Sequence, residues 1–326
     1  MLNNSFRTEI QKKKAEFSIS QKDSIMLIGS CFAENIGEKL TEYKFQTNVN
    51  PFGILFNPVS IAQSLNILTN SFLFKESDLH FFNNEWISFY HHGKFSHPDL
   101  KICLETINEK LLESRVFLQK ANFLILTLGS TVSYSYKGNI VANCHKIPQK
   151  EFQKQILTNQ DIVSSLMNSI EKIRAINKDI QLIFTVSPVR YIKNSMIENT
   201  LSKAHLVVAV HELMQRVRNS YYFPTYEIMM DDLRDYRFYA DDMIHPSPVA
   251  IDYIWENFSY TFFDEQTLEL NEKIKDIYLA VNHRIKDHTS EESKKFKETQ
   301  IQKIKQLQPL FTYITLGEEL AYFQNE

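Results

Sequence analysis

The stretch Ser24-Ile25-Met26-Leu27-Ile28-Gly29-Ser30-Cys31-Phe32-Ala33-Glu34 decides the fold. Its first five residues are mostly apolar and predict a buried strand. Beyond Gly29, the residues Phe32, Ile36, Leu40 and Tyr43 recur at helical spacing, so the strand turns directly into an amphipathic helix with Gly29 as its hinge. Ser30 sits on that strand-to-helix turn. A hydroxyl there projects from the carboxyl end of a sheet, beside helix N-terminal N–H groups that stabilise a developing negative charge. On these residues two roles weigh equally: a nucleophile, or a plain N-cap, for which Ser is favoured.

Working outward, residues 122–128 form a fully apolar run that predicts a central parallel strand. Residues 181–186 and 226–230 predict two more strands, and residues 59–68, 102–118, 152–176 and 198–218 read as helices between them. Strands ending near residues 28, 126, 186 and 230, separated by helices, imply an α/β fold with a mainly parallel sheet sandwiched by helices. Residues 79–89 read as a β-hairpin inserted at one edge, its Asn83-Asn84 turn able to reach positive φ. Residues 50–58 are a loop or short strand bracketed by prolines, and residues 1–23 an irregular arm. The division is a domain over 1–262 and a helical extension over 263–326, where Leu270, Ile274, Ile277, Val281 and Ile285 make one apolar face, a polar break covers 287–292, and Phe296, Ile301, Ile304 and Leu307 suggest a second helix.

Ligands of such sheets bind beyond the carboxyl ends of the strands. Ser30, Gly129, Arg190 and the segment Asp241-Asp242-Met243-Ile244-His245 all follow strand ends. A serine nucleophile needs a base, and the base an orienting acid, which Asp242 and His245 supply; Asp241, one position off, competes with Asp242. Arg190 either holds a substrate carboxylate or phosphate or pairs with a loop acid. Cys31 is a rival nucleophile, disfavoured because the residue after the turn serine begins the helix and is expected to point away, among apolar neighbours that suit a structural thiol. The spacing of His91, His92 and His97 raises a metal site, but adjacent histidines on an extended segment face opposite sides and no nearby acid or cysteine completes a set. No metal or cofactor is expected, and His92 is read as part of a substrate-lining loop.

The order Ser30, Asp242, His245 resembles SGNH (GDSL-like) hydrolases, and the literal Gly-Ser-Cys-Phe-Ala at 29–33 resembles the GSCFA family within that group. The resemblance runs from residue 25 to about 258 and includes Asn50-Pro51-Phe52-Gly53-Ile54-Leu55, Asn143-Cys144-His145-Lys146, Ser187-Pro188-Val189-Arg190 and Tyr236-Arg237-Phe238-Tyr239-Ala240. It implies a flavodoxin-like three-layer fold and a serine esterase or acyltransferase acting on a small-molecule or glycan acyl ester through an acyl-enzyme. It also implies an oxyanion hole made by the N–H of Ser30, the N–H of Gly53 and a side chain at position 131. Thr131 stands where such enzymes carry Asn, so Asn143 or His145 is a candidate replacement. That departure supports the alternative of a weak or inactive binding protein for an acylated or carbohydrate ligand.

Composition bounds the rest. Of 326 residues 43% are hydrophobic and 23% charged, which is ordinary for a globular protein, and a net charge of −3 gives no pull toward nucleic acid. The lysines beyond 290 alternate with acids and lack aromatic partners, so a solvated face is expected rather than an RNA surface. Three scattered cysteines do not make a disulfide framework, the first 14 residues lack a secretory apolar core, and no run reaches a membrane span. A soluble cytoplasmic protein without nucleic-acid or membrane partners is expected, with the C-terminal helices as the candidate homodimer contact.

Overall fold

The structure is a computed structural model that describes residues 8–193, 195–283 and 290–324. In chain order its elements are β1 (Ser24–Gly29), α1 (Cys31–Glu42), β2 (Gln46–Val49), α2 (Pro58–Leu68), β3 (His80–Phe82), β4 (Glu85–Ile87), α3 (Leu100–Lys120), β5 (Phe123–Leu128), β6 (Val132–Tyr136) and β7 (Asn139–Val141). There follow β8 (Phe152–Ile156), α4 (Asn159–Ile176), β9 (Gln181–Val186), α5 (Met196–Arg216), β10 (Ser220–Tyr222), the single turn α6 (Thr225–Glu227), α7 (Pro248–Phe262), α8 (Glu265–Val281), α9 (Glu291–Leu307) and α10 (Gly317–Gln324).

Five parallel strands form the main sheet in the order β2-β1-β5-β9-β10. Counted along the sheet strands alone this is the flavodoxin-type order, whose winding reverses between the first strand and the third. Here that switch point lies between β1 and β5, so the crevice is where Gly29 and Leu128 end. The alternation of a strand's side chains explains the two cores. Met26, Ile28, Leu124, Leu126, Leu182 and Phe184 face a cluster shared with α2, α3, α4 and α5. Ile25, Leu27, Phe123, Ile125 and Ile183 face the other, with α1 and α7. Both faces being covered, β1 and β5 read as continuous apolar runs.

The β3–β4 hairpin forms as expected, with Asn83 at φ 51° and Asn84 at φ 63°, as a separate two-stranded sheet. Two expected elements are different. Residues 226–230 are helical; the last sheet strand is β10, because Pro224 closes the extended run and α6 starts at once. Residues 152–176 are not one helix: β8 joins β6 and β7 in an antiparallel sheet, and α4 begins only after Thr158, which forms a capping box with Asp161. Residues 8–23 are irregular and pack Phe17 and Ile19 on the α1/α7 face.

At the C-terminal end α8, α9 and α10 share an apolar cluster that includes Leu270, Ile274, Ile277, Ile304, Leu307 and Phe323. Lys44 pairs with Glu319 and joins this cluster to the sheet domain. Ile285 and most of the expected polar break, 284–289, lie outside the described residues; Ser290 caps α9. Among the described residues no helix is long and apolar enough to cross a membrane, and no cluster of His, Cys, Asp and Glu could hold a metal.

Candidate active site

Gly29 closes β1 with φ +150°, and an added Cβ would stand 2.1 Å from the Thr127 carbonyl oxygen, so only glycine lets β1 and β5 approach here. The Asn50 side chain accepts the Gly29 N–H at 2.8 Å and fixes the turn. Ser30 then caps α1, its Oγ accepting the Phe32 N–H at 3.3 Å. Gly129 leaves β5 alongside it, where an added Cβ would stand 3.0 Å from the Phe56 carbonyl oxygen and 3.3 Å from Ser30 Cβ, a tight fit.

The histidine arrives from the far end of the chain. Asp242 Oδ1 accepts the N–H groups of Ile244 at 2.9 Å and His245 at 3.0 Å, and its Oδ2 lies 2.6 Å from His245 Nδ1. These bonds hold the Asp242 carboxyl down to about 2, the His245 N–H first among them, so it is a carboxylate at neutral pH. The spacing of three suffices because the turn is tight, with Met243 in the left-handed region at φ 59°. We expect Met243→Gly to raise the unfolding free energy by about 0.5–1 kcal/mol, measured by denaturant titration, because glycine relieves that conformation at some cost in chain entropy. The carboxylate hydrogen-bonded to His245 is that of Asp242, not Asp241.

Ser30, Cys31, Phe56, Gly129, Arg190 and His245 line one cavity of about 170 Å³ at the carboxyl edge of the sheet. No hydrogen bond joins Ser30 Oγ to His245 in this arrangement; Ser30 is buried, whereas the side chains of His245 and Asp242 are 48% and 46% exposed. The sequence model of the GSCFA family matches residues 24–258, and that of the GSCFA domain protein C-terminal domain matches 274–326. The chain belongs to the GSCFA family. No curated protein matches the sequence. Among solved structures, a carbohydrate esterase family 3 protein from Talaromyces cellulolyticus is 11% identical, with 78% of this chain and 99% of that one covered and a TM-score of 0.38. A Clostridium thermocellum family 3 carbohydrate esterase is 10% identical, with 77% and 97% covered and a TM-score of 0.34.

Several residues singled out in the GSCFA sequence do not line this cavity. Gly53 donates its N–H to Asn50 at 2.7 Å in a turn at φ +76°, packed against His92. His92 caps the turn Gly93–Phe95 by accepting the Lys94 N–H. Asn143 accepts the His145 N–H, and His145 Nε2 lies 2.8 Å from the Ser88 carbonyl. Thr131 is fully buried; its N–H goes to Ser202 Oγ at 2.8 Å and its hydroxyl has no partner. The Ser30 N–H is bonded to the Thr127 carbonyl at 3.1 Å. His91 is buried against Phe52, where burial pushes it down to about 3 and keeps it neutral.

Cys31 does not point away. As the first residue of α1 its side chain leans toward the helix N-terminus, and so into the cavity. Burial, and then Glu34, push its thiol up and keep it protonated, which disfavours a thiolate nucleophile.

Sequence reasoning missed the start of α5. Asn199 accepts the Tyr191 N–H, Ser202 accepts the Thr131 N–H, and Lys203 donates to the carbonyls of Gly129 at 2.7 Å and Ser187 at 2.6 Å. One helical face therefore binds the loops leaving β5 and β9. Lys203 is 1% exposed, and burial pulls its ammonium down to about 7. The available signal was three polar residues preceding Leu206, Ala209, Val210 and Leu213 on one buried face.

Proposed function

We propose that this chain is a serine hydrolase or acyltransferase acting on acyl esters, with Ser30 as nucleophile, His245 as base and Asp242 as its orienting acid. The observation that carries the reading is that Ser30, on a strand-to-helix turn, and an imidazole held by a carboxylate line the same cavity although they are far apart in the sequence. In the reaction His245 Nε2 takes the Ser30 proton as Oγ attacks the ester carbonyl, then gives it to the departing alkoxide. Water, or an acceptor alcohol, repeats the sequence on the acyl-enzyme. Asp242 holds Nδ1 protonated, so Nε2 is free to accept. Since Ser30 N–H is occupied, the donor next to the developing oxyanion is the Cys31 N–H at the start of α1, helped by the field of the helix and of Lys203 beneath the floor.

A second reading, a binding protein without turnover, is favoured by one observation: Gly53, Thr131 and Asn143 do not line the Ser30 cavity, and the Gly53 N–H is bonded to Asn50. One experiment separates the two. A fluorophosphonate probe, followed by peptide mass spectrometry, is expected to label Ser30. Labelling at Cys31, or none, overturns the serine-hydrolase reading.

A further inference from the structure

We propose that the substrate carries an anionic oxygen group, a carboxylate or phosphate, and that Arg190 binds it where the Ser30 cavity meets a neighbouring groove; this rests on the acyl-ester reading above. Among the described residues Arg190 alone lines both the cavity and this groove of about 320 Å³. It has no carboxylate partner among those residues, which removes the loop-acid pairing that its sequence position also allowed. Its guanidinium lies 4.1 Å from the centre of the Tyr239 ring and 5.2 Å from that of Tyr236. Aromatic faces hold a guanidinium in place without neutralising it and leave its N–H edge free for a planar oxyanion. The Arg190 N–H donates to the Ile244 carbonyl, which fixes this cation relative to the histidine loop.

Two further observations point to a ligand. Tyr239, which lines the groove, is 7% exposed, and its buried hydroxyl meets no polar group other than the Arg190 guanidinium. No acid lines the Ser30 cavity. The groove itself holds Asp231, Asp235 and Arg234. Asp235 is engaged with the Arg237 N–H and guanidinium. That leaves Asp231 as the one acid of the groove lining against two cations, Arg190 and Arg234, so the local balance stays positive.

The test compares 4-nitrophenyl butyrate with mono-4-nitrophenyl succinate, which share a leaving group and a four-carbon acyl chain and differ in a terminal methyl against a carboxylate. Wild type is expected to favour the succinate ester, and the ratio of the two kcat/KM values to fall about 10- to 100-fold in Arg190→Gln and less in Arg190→Lys. An unchanged ratio overturns the proposal, whatever the absolute rates. If neither ester is hydrolysed faster than by Ser30→Ala, the acyl-ester reading fails by itself, and calorimetry of wild type and Arg190→Gln with succinate and with inorganic phosphate at fixed ionic strength decides. Binding of either anion that disappears in Arg190→Gln supports the site and says which oxyanion it takes. Binding of neither overturns it.

Discussion

Ser30→Ala is expected to lower ester hydrolysis by about 10⁴-fold or more, to the level of the uncatalysed reaction plus whatever the cavity contributes by binding. The size follows from the covalent route: without Oγ there is no acyl-enzyme, and His245 has no proton to take. The substitution should leave the fold intact, because Ser30 Oγ contributes one long cap bond of 3.3 Å and losing a cap costs about 1 kcal/mol. His245→Ala should cost about as much, and the double variant no more than either, since the two act as one unit. Asp242→Asn should be milder than in a buried triad. Its side chain is 46% exposed, so water competes for His245 Nδ1 and the fall is nearer 10- to 100-fold than 10⁴. Steady-state rates on 4-nitrophenyl acetate check the set; Ser30→Ala within tenfold of wild type removes the nucleophile assignment.

What the sequence displayed was local. The β1 turn was legible because an apolar run, a glycine and a helical stripe are adjacent in the chain, and the contact of Asp242 with His245 because a spacing of three closes on itself. Edge strands were not. Gln46, Thr47 and Asn48 carry no apolar signal, yet β2 pairs with β1, and buried Asn48 satisfies its amide on Ser114 Oγ, a partner on α3. In β8, Gln153, Lys154 and Gln155 are exposed and give no apolar alternation, so the apolar residues after Thr158 dominated the reading. Gly53 and Thr131 follow from position in a resemblance and Asn143 stands as a replacement for the absent amide, but none of the three lines the Ser30 cavity, because position does not encode the turn that bonds the Gly53 N–H to Asn50 or the contact that bonds the Thr131 N–H to Ser202. Lys203 was invisible for a related reason: its acceptors are main-chain carbonyls that meet only when β5 and β9 lie side by side.

That lysine carries the second large effect. An unfolded lysine titrates near 10.4, whereas folded Lys203 is pulled down to about 7. Between those values the unfolded chain binds more protons than the folded one, so this group makes stability rise with pH above 7, by about 2–3 kcal/mol up to pH 9. Below pH 7 both states are protonated and the dependence vanishes. The neutral amine has two hydrogens, enough for Gly129 O and Ser187 O; the ammonium adds a buried charge with no acid to meet it. Lys203→Met keeps the volume, removes the charge and leaves two carbonyls without a donor, at about 1–3 kcal/mol each. Denaturant unfolding of both proteins at pH 6, 7, 8 and 9 should show the variant's deficit smallest at pH 6 and larger by about 2–3 kcal/mol at pH 9 than at pH 7. Tyr191 and Tyr222, both raised by burial, titrate above this window and do not confuse it. A deficit that is flat from pH 6 to 9 means that Lys203 stays an ammonium throughout, and the cavity floor then carries a permanent positive charge instead of one that titrates near neutrality.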